Sequence, residues 1–303
     1  MMRLALLLAA ACLLAPAAQA QSDSLQLVAE NPQKVIDIDP ALWVLRDADT
    51  TIYLFGTVHV LRPGLGWFND NVKTAFDKSD TLVLEMLDPS PVEAAAVMAD
   101  LSIDKSGRTI RQKLSAKDLA AYEAAVAKLG LSHAALDPLD GWAVAVNLYY
   151  TGLLQKGYDL TSGVEVQLKA AATASKKPIL GLETMRLQLS IFDALPENVQ
   201  LDYVTMTAGS IDEIAPQTDR LVELWAAADT GGVATVMNEG FDTLKLTEAL
   251  LTRRNANWAA WIHQRMATPG TVFMAVGAGH LAGPVSVHHL LTAYGLKSAQ
   301  VPD

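Results

Sequence analysis

The chain has 303 residues, of which 51% are hydrophobic, and its formal net charge is −10 at pH 7. An acidic chain without a basic run argues against nucleic acid as a partner, because surfaces that bind nucleic acid are basic. The hydrophobic fraction is large enough for a substantial core and excludes a mainly disordered chain.

Residues 1–20 have the pattern of a secretory signal peptide. Arg3 precedes an apolar run over residues 4–14, and Ala18-Gln19-Ala20 forms a small-residue cleavage site. That run is too short to span a bilayer, and no later segment reaches the roughly 18 uncharged residues of a membrane helix. We therefore predict an exported, soluble protein, periplasmic in a Gram-negative host.

The single cysteine, Cys12, lies inside this signal. A lipoprotein signal would use it as the anchor, but Ala9 stands where such signals carry leucine, so cleavage after Ala20 is favoured. The mature chain then has no cysteine, and any metal ligands must come from His, Asp and Glu. After the signal we predict a lead over residues 21–39 and one domain over residues 40–303.

The domain begins with a predicted hairpin. Apolar runs at residues 41–45 and 51–59 flank a polar turn, and the second run ends in Gly56-Thr57-Val58-His59. The spacing of apolar residues then predicts a helix over residues 69–78. Residues 81–86 form a short apolar strand that contains Glu85, and a carboxylate in a buried strand is costly unless it is paired, hydrogen-bonded or metal-bound.

Two long helical regions follow, over about residues 89–176 and 185–266. Between them lies a strand, Ile179–Glu183, that also ends in a carboxylate. A last strand leads into Gly277-Ala278-Gly279-His280, and a helix over residues 285–294 is closed by Gly295. Strands separated by helices predict an α/β fold with a mostly parallel central sheet and a helical subdomain.

The motif Gly-x-x-His thus occurs twice, each time directly after an apolar strand. Open α/β sheets place ligand crevices at the carboxyl ends of their strands, so we expect His59 and His280 to share one site. Gly56 and Gly277 would bind the ligand or cofactor through close approach of the backbone, since glycine has no Cβ. Matching contexts at both ends of the chain favour function over two unrelated core histidines.

Glu85 would complete this predicted site. Two histidines and a carboxylate are ligands for zinc, manganese or cobalt, so the sequence predicts a divalent metal at His59, His280 and Glu85. Glu183 would then act as general base on a metal-bound water. Arg254 could stabilise a developing oxyanion, with Asn255 beside it in the same helix.

Taken in order, these stretches resemble the TraB/GumN family, within the wider group that includes the Tiki proteases and the pheromone-shutdown proteins. The resemblance rests on the stretches 53–59, 82–85, 163–165, 177–184, 254–255 and 275–283. It implies a fold related to erythromycin esterases and to a haem-binding lipoprotein group, with both histidines at the site. The Tiki branch implies a divalent-metal-dependent protease, with His59, His280 and a glutamate at the metal and Arg254 and Asn255 nearby. Glu165 stands where relatives often carry aspartate, which keeps the charge.

The leading hypothesis is an exported metal-dependent hydrolase that acts on peptide bonds, with a peptide or small molecule as substrate. A second is a metal-free, esterase-like hydrolase in which one histidine activates water directly. The third is a non-catalytic protein that binds haem or a peptide. The sequence leaves the substrate, the metal and the oligomeric state open.

Overall fold

A six-stranded sheet lies at the centre of the protein, whose computed structural model describes residues 35–240 and 247–302. The strands are β1 Ile36–Asp37, β2 Leu42–Arg46, β3 Thr50–Thr57, β4 Leu65–Gly66, β5 Thr81–Met86, β6 Ile179–Glu183, β7 Gly270–Gly277 and β8 Ala299–Gln300. In the central sheet they run in the order β6-β5-β7-β3-β2-β8, and β1 pairs separately with β4. Strands β6, β5, β7 and β3 are parallel, whereas β2 is antiparallel to β3 and β8. The predicted α/β fold with a mostly parallel sheet is confirmed.

Helices fill the two long connections that the sequence predicts. Between β5 and β6 lie α2 Pro91–Leu101, α3 Ile110–Lys113, α4 Ala116–Leu129, α5 His133–Leu136, α6 Gly141–Gln155 and α7 Val164–Ala174. Between β6 and β7 lie α8 Met185–Asp193, α9 Glu197–Gly209, α10 Ile214–Ala226, α11 Thr230–Gly240 and α12 Arg253–Arg265. Two further helices, α1 Asp70–Lys78 and α13 Val287–Leu291, fall within the segments predicted as helical at 69–78 and 285–294.

The sheet is covered on both faces, because successive side chains of a strand point to opposite sides. On β3, Phe55 packs into the large core of the helical regions, whereas Ile52 and Leu54 pack into a smaller core on the opposite face. Trp258 and Ile262 of α12 belong to that smaller core. Burial on both faces explains why β3 is a nearly continuous apolar run and not an alternating one.

The register of the parallel strands brings the two ends of the chain together. Strands β3 and β7 are neighbours, and Gly56 pairs with Val276 while Thr57 pairs with Gly277. Strand β5 lies on the other side of β7 and pairs with β6. Both Gly-x-x-His motifs and both strand-end glutamates therefore reach the same edge of the sheet.

Two details of the fold were not predicted. Strand β6 lies at the edge of the sheet, and Leu180 in its middle is 49% exposed. A π-helical turn, Glu248–Thr252, lies directly ahead of α12. π-Helical turns are frequent at functional sites, and this one leads directly into Arg254.

The signal peptide, Cys12 and the first part of the lead lie outside the described residues, so these predictions remain predictions. Over the ranges that the structure describes, we find no helix with both the length and the apolar character needed to cross a membrane.

Candidate active site

Both motif histidines line one narrow cavity at the carboxyl ends of β3 and β7. The space open to the centre of a water molecule is about 20 Å³, which is room for about one water. Apart from the histidines and Thr57, its walls are mainly apolar: Val58, Leu221, Met237, Leu251 and Ala278. The expectation that the two motifs meet in one place therefore agrees with the geometry.

His59 is held by a carboxylate on a neighbouring helix. Its Nδ1 lies 2.6 Å from Oε1 of Glu165 in the first turn of α7, and the hydroxyl of Thr57 donates to the same oxygen. The helix can approach so closely because residue 163 is glycine, and a Cβ there would collide with the carbonyl oxygen of His59. The N–H of Val164 also donates to the carbonyl of Val58, which fixes the start of α7 against the motif.

The protonation of His59 follows from this contact. Burial lowers the pKa of the imidazole, but the charge of Glu165 and the hydrogen bond to it outweigh burial and raise the pKa to about 9. The other ring nitrogen, Nε2, is buried and has no hydrogen-bond partner among the residues that the structure describes. His59 is thus oriented through one nitrogen and unengaged at the other.

Arg254 forms the centre of a second group of charges behind His280. Its Nη2 donates to Glu85 at 2.6 Å and to Glu183 at 2.8 Å, and its Nε lies 3.0 Å from both oxygens of Glu183. The guanidinium lies over the ring of Trp258, 4.8 Å from its centroid, and the indole N–H donates to Glu183. The side chains of Arg254, Glu85 and Glu183 are only 5%, 7% and 4% exposed, so water contributes little to their solvation.

Glu85 is fully engaged within this group. Its Oε1 accepts the backbone N–H of Gly277 at 2.7 Å, and its Oε2 accepts from Arg254 and from Gln188. Burial raises the pKa of this carboxyl, but the nearby positive charge of Arg254 more than compensates, and the pKa falls to about 2. Glu85 is therefore ionised at every physiological pH.

The hydrogen bonds of His280 define its tautomer. The amide nitrogen of Asn255 donates to the carbonyl of Val285 at 2.8 Å, so Oδ1 of Asn255 accepts from Nδ1 of His280 at 2.5 Å. Nε2 is then the unprotonated nitrogen and accepts from Nη1 of Arg254 at 3.1 Å. Burial and the charge of Arg254 lower the pKa of His280 to about 3, so its ring is neutral.

The two motif glycines allow close contacts between neighbouring parts of the chain. A Cβ on Gly56 would lie 3.1 Å from Cα of Ala278, and one on Gly277 would lie 3.2 Å from Oε1 of Glu85. The absent side chains let β3 pack against the second motif and let Glu85 reach the backbone of β7. The predicted role of both glycines in binding a ligand stays a prediction.

The predicted metal ligands differ in how well they fit a divalent cation. His59 fits, because histidine ligands are usually oriented by a carboxylate on their other nitrogen. At Glu85 and His280, in contrast, Arg254 already supplies the positive charge and occupies the lone pair of His280. Within the described ranges, no group of three or more His, Cys, Asp and Glu side chains is arranged to hold a metal ion.

The structure brings together every side chain that the sequence singled out, but in two groups. His59 and His280 line the cavity, whereas Glu85, Glu183, Arg254 and Asn255 lie behind His280. Sequence reasoning noted Glu165 only as a position where relatives often carry aspartate, and it did not place Trp258, Thr57 or Gln188 at the site. The position of Glu165 two residues after Gly163 was a usable signal, since that glycine marks a close approach of two backbones.

Comparisons with known proteins agree with the resemblance seen in the motifs. The sequence model of the TraB/PrgY/gumN family matches residues 41–300. An uncharacterized protein of Treponema pallidum is 23% identical over 280 residues, which cover 86% of this chain and 82% of that protein. The uncharacterized protein YbaP of Escherichia coli is 22% identical over 252 residues, which cover 83% of this chain and 92% of YbaP. No solved structure matches the chain significantly.

Proposed function

This chain belongs to the TraB/PrgY/gumN family, and from the geometry around His59 we propose that it is a hydrolase in which this histidine activates water. One observation carries the proposal. His59 lines the cavity, its Nε2 has no hydrogen-bond partner among the described residues, and its Nδ1 is held by the half-buried carboxylate of Glu165. A general base that is oriented by a third group has the same arrangement.

The reaction would proceed in two steps. Neutral His59 accepts a proton at Nε2 from a water whose oxygen forms a bond to the carbonyl carbon of the substrate. The imidazolium, stabilised by Glu165, then donates this proton to the leaving nitrogen or oxygen as its bond to carbon breaks. The products are a carboxylic acid and an amine or alcohol, and His59 returns to its neutral form.

In this proposal a positioning role belongs to the Arg254 group, which consists of Arg254, Glu85, Glu183, Asn255 and Trp258. Both oxygens of Glu183 accept hydrogen bonds from Arg254, and Trp258 and Gln188 donate to them as well. General-base catalysis by Glu183 remains a prediction, but these contacts favour His59 as the base. Arg254 and Asn255 would hold His280 neutral as one wall of the cavity.

The resemblance and the predicted signal peptide support a proposal for the substrate class and the location. We propose a peptide as the preferred substrate, by analogy with the Tiki proteases, and export through the predicted signal peptide. The haem-binding alternative has less support, because Nε2 of His280 already accepts a hydrogen bond from Arg254.

The test is hydrolysis by the purified mature protein of a panel of peptides and esters. We expect His59→Ala to lower kcat/KM by about 10²–10⁴, the usual contribution of a general base. His263→Ala is the matched control, because His263 is exposed on α12 and stacks on Tyr294, away from the residues that line the cavity. Equal activity of the wild type and His59→Ala would refute the proposal.

A metal-dependent version is a second candidate, favoured by the same orphaned Nε2 of His59. A bound divalent cation would supply a more acidic water and polarise the carbonyl, with His59 as a ligand. Glu85 and His280 could join it only if Arg254 released them. Metal content is measured on the wild type, His59→Ala and His280→Ala, and activity is measured with a chelator. Metal lost from both variants supports this version, whereas full activity in chelator supports the metal-free one.

A further inference from the structure

The nitrogen that would accept the proton is covered in this structure. Nε2 of His59 is buried, and the cavity beside it has room for about one water. A peptide or ester carbonyl can therefore reach Nε2 only if part of the cavity wall moves. The two motifs form one side of this wall, and the side chains of Leu221, Met237 and Leu251 form the rest.

Two of these three side chains lie on elements that hydrogen bonds fasten to the site. Leu221 belongs to α10, where the indole of Trp225 donates to the carbonyl of the first motif glycine at 2.8 Å. Leu251 belongs to the π-helical turn, where the carbonyl of Leu250 accepts from Nη1 of Arg254 at 3.3 Å. Arg254 is itself held by both strand-end glutamates. Movement of either element would therefore break buried polar contacts.

Met237 belongs to α11, which is attached by apolar packing. Its Cε packs on the second motif, where a Cβ on Gly279 would lie only 2.7 Å away. Over residues 230–237, where the structure describes the side chains of α11, the one side-chain hydrogen bond joins Thr235 to the carbonyl of Gly231 within the helix. This part of α11 can therefore leave the cavity without its side chains losing a hydrogen bond to the rest of the protein.

The sequence of α11 also makes it an intrinsically weak helix. Its 11 residues include three glycines and four β-branched residues: Gly231, Gly232, Gly240, Thr230, Val233, Thr235 and Val236. Glycine is the poorest helix former after proline, and β-branched side chains lose rotamer freedom in a helix. The chain enters α11 through Ala228, whose φ of 55° is unfavourable for a residue with a Cβ. Such low local stability is typical of segments that open over a site.

We propose that α11 covers the site and opens by local unfolding over residues 230–237, an inference that rests on the proposed function. Opening moves Met237 away from Gly279 and joins the cavity to solvent, so that Nε2 of His59 becomes accessible. Both motifs, α10 and the π-helical turn stay in place. Since substrate binds only to the open form, kcat/KM is proportional to the fraction of molecules in which α11 is open.

Two substitutions shift this opening in opposite directions at positions that do not line the cavity. Gly231→Ala strengthens the helix, and its Cβ would have ordinary space, 3.6 Å from Oδ1 of Asp229. Asp229→Ala removes the carboxylate that accepts the N–H of Gly232 at 2.8 Å and caps the first turn. The matched controls lie on other helices: Gly152→Ala in α6, where a Cβ would have ordinary contacts, and Ser115→Ala, which removes the cap of α4.

Two measurements on the purified mature protein test the cover. Amide hydrogen exchange reports the opening of α11, and modification by diethylpyrocarbonate reports access to His59, with the exposed His263 as internal reference. We expect Gly231→Ala to slow both about two- to fivefold, Asp229→Ala to speed both about fivefold, and both controls to match the wild type. Modification of His59 at the same rate in the two α11 variants would overturn the proposal. Modification of wild-type His59 as fast as that of His263 would do so as well.

Neither measurement depends on turnover, so failure of the cover and failure of the hydrolase give different results. If modification of His59 follows the exchange of α11 but no peptide or ester is hydrolysed, the hydrolase is refuted and the cover stands. If a peptide or ester is hydrolysed with the same kcat/KM by Gly231→Ala and Asp229→Ala, the cover is refuted and the hydrolase stands. When both hold, kcat/KM falls in the first variant and rises in the second by the factors seen in exchange.

Discussion

The two charged groups at this edge of the sheet use similar residues in opposite ways. Around Arg254, two glutamates, a histidine, an asparagine and a tryptophan saturate one another with hydrogen bonds. Around His59, Glu165, which accepts from Thr57, engages Nδ1, and Nε2 has no hydrogen-bond partner among the residues that the structure describes. In the first arrangement the buried polar atoms are engaged and depend on Arg254, so its loss would leave buried carboxylates unpaired, whereas the second arrangement favours reactivity.

This contrast shows that burial of ionisable residues at a strand edge does not by itself identify reactive groups. Glu85 and Glu183 are more deeply buried than His59, yet their oxygens are already engaged. His59 differs from them because, among the described residues, its Nε2 has no hydrogen-bond partner. The contrast predicts that substitutions in the Arg254 group chiefly affect stability, and that those around His59 chiefly affect activity.

The largest expected effect follows removal of Arg254. Arg254→Met leaves Glu85 and Glu183 buried without a compensating charge, so we expect the free energy of unfolding to fall by about 3–5 kcal/mol. Denaturant unfolding measures it, and Arg253→Met is the matched control, because Arg253 is exposed on the same helix. We expect the control to stay within about 0.5 kcal/mol of the wild type.

Two further variants sharpen this prediction. Arg254→Lys keeps the charge but not the planar set of donors that reaches Glu85, Glu183 and His280 together, so its loss of stability should be intermediate. Adding Glu183→Gln to Arg254→Met removes one uncompensated carboxylate and should recover part of the stability. A stable Arg254→Met variant without activity would reverse the comparison and place Arg254 in catalysis.

The next largest effect concerns Glu165. Glu165→Gln keeps the size of the side chain but removes the charge that orients His59, and partners of this kind contribute about 10–100-fold. We expect kcat/KM to fall by this factor. The chain offers a matched control in Glu123→Gln, because Glu123 lies 2.8 Å from Nε2 of His133 in an exposed pair. A rate for Glu165→Gln equal to that of Glu123→Gln would mean that His59 needs no orienting carboxylate.

Local sequence patterns predicted the five longer strands, the helical regions and the residues that meet at the sheet edge, but not the two-residue strands β1, β4 and β8. These patterns could not predict which charged side chains pair. Helical periodicity identifies the apolar face of α12, but it does not show which strands α12 packs against. Arg254 and Glu85 are 169 positions apart, and their contact depends on the order β6-β5-β7. The same limit explains β6, whose composition is apolar although the strand order places it at the edge.

Glu165 illustrates a different limit. Its role depends on the docking of α7 against the first motif, which rests on one glycine and one backbone hydrogen bond. A single sequence shows the glycine without showing its contact. The predicted metal site likewise included Glu85 without its contact to Arg254, which supplies the positive charge there.

The smallest expected effect is the dependence of stability on pH at His59. Because its pKa is raised from 6.5 to about 9 in the folded protein, its contribution is complete below pH 6.5 and is lost as the pH rises through 9. Burial raises the pKa of Glu165, but the charge of His59 lowers it further, so the contribution of Glu165 is lost in acid. Between pH 6.5 and 9 we expect the stability difference between wild type and His59→Gln to shrink by at least about 1 kcal/mol.

Deprotonation of His59 should change the stability of the fold and the activity in opposite directions. The protonated imidazole stabilises the fold through Glu165, whereas the proposed base is the neutral form, so kcat/KM should rise towards pH 9 as this stability contribution falls. Unfolding curves and rate profiles over pH 6–10 measure both, with His263→Gln as the control. A resident divalent cation on Nε2 would displace the proton and move the rate profile to lower pH. An activity that falls between pH 7 and 9 would instead make the imidazolium the active form, with His59 acting first as an acid.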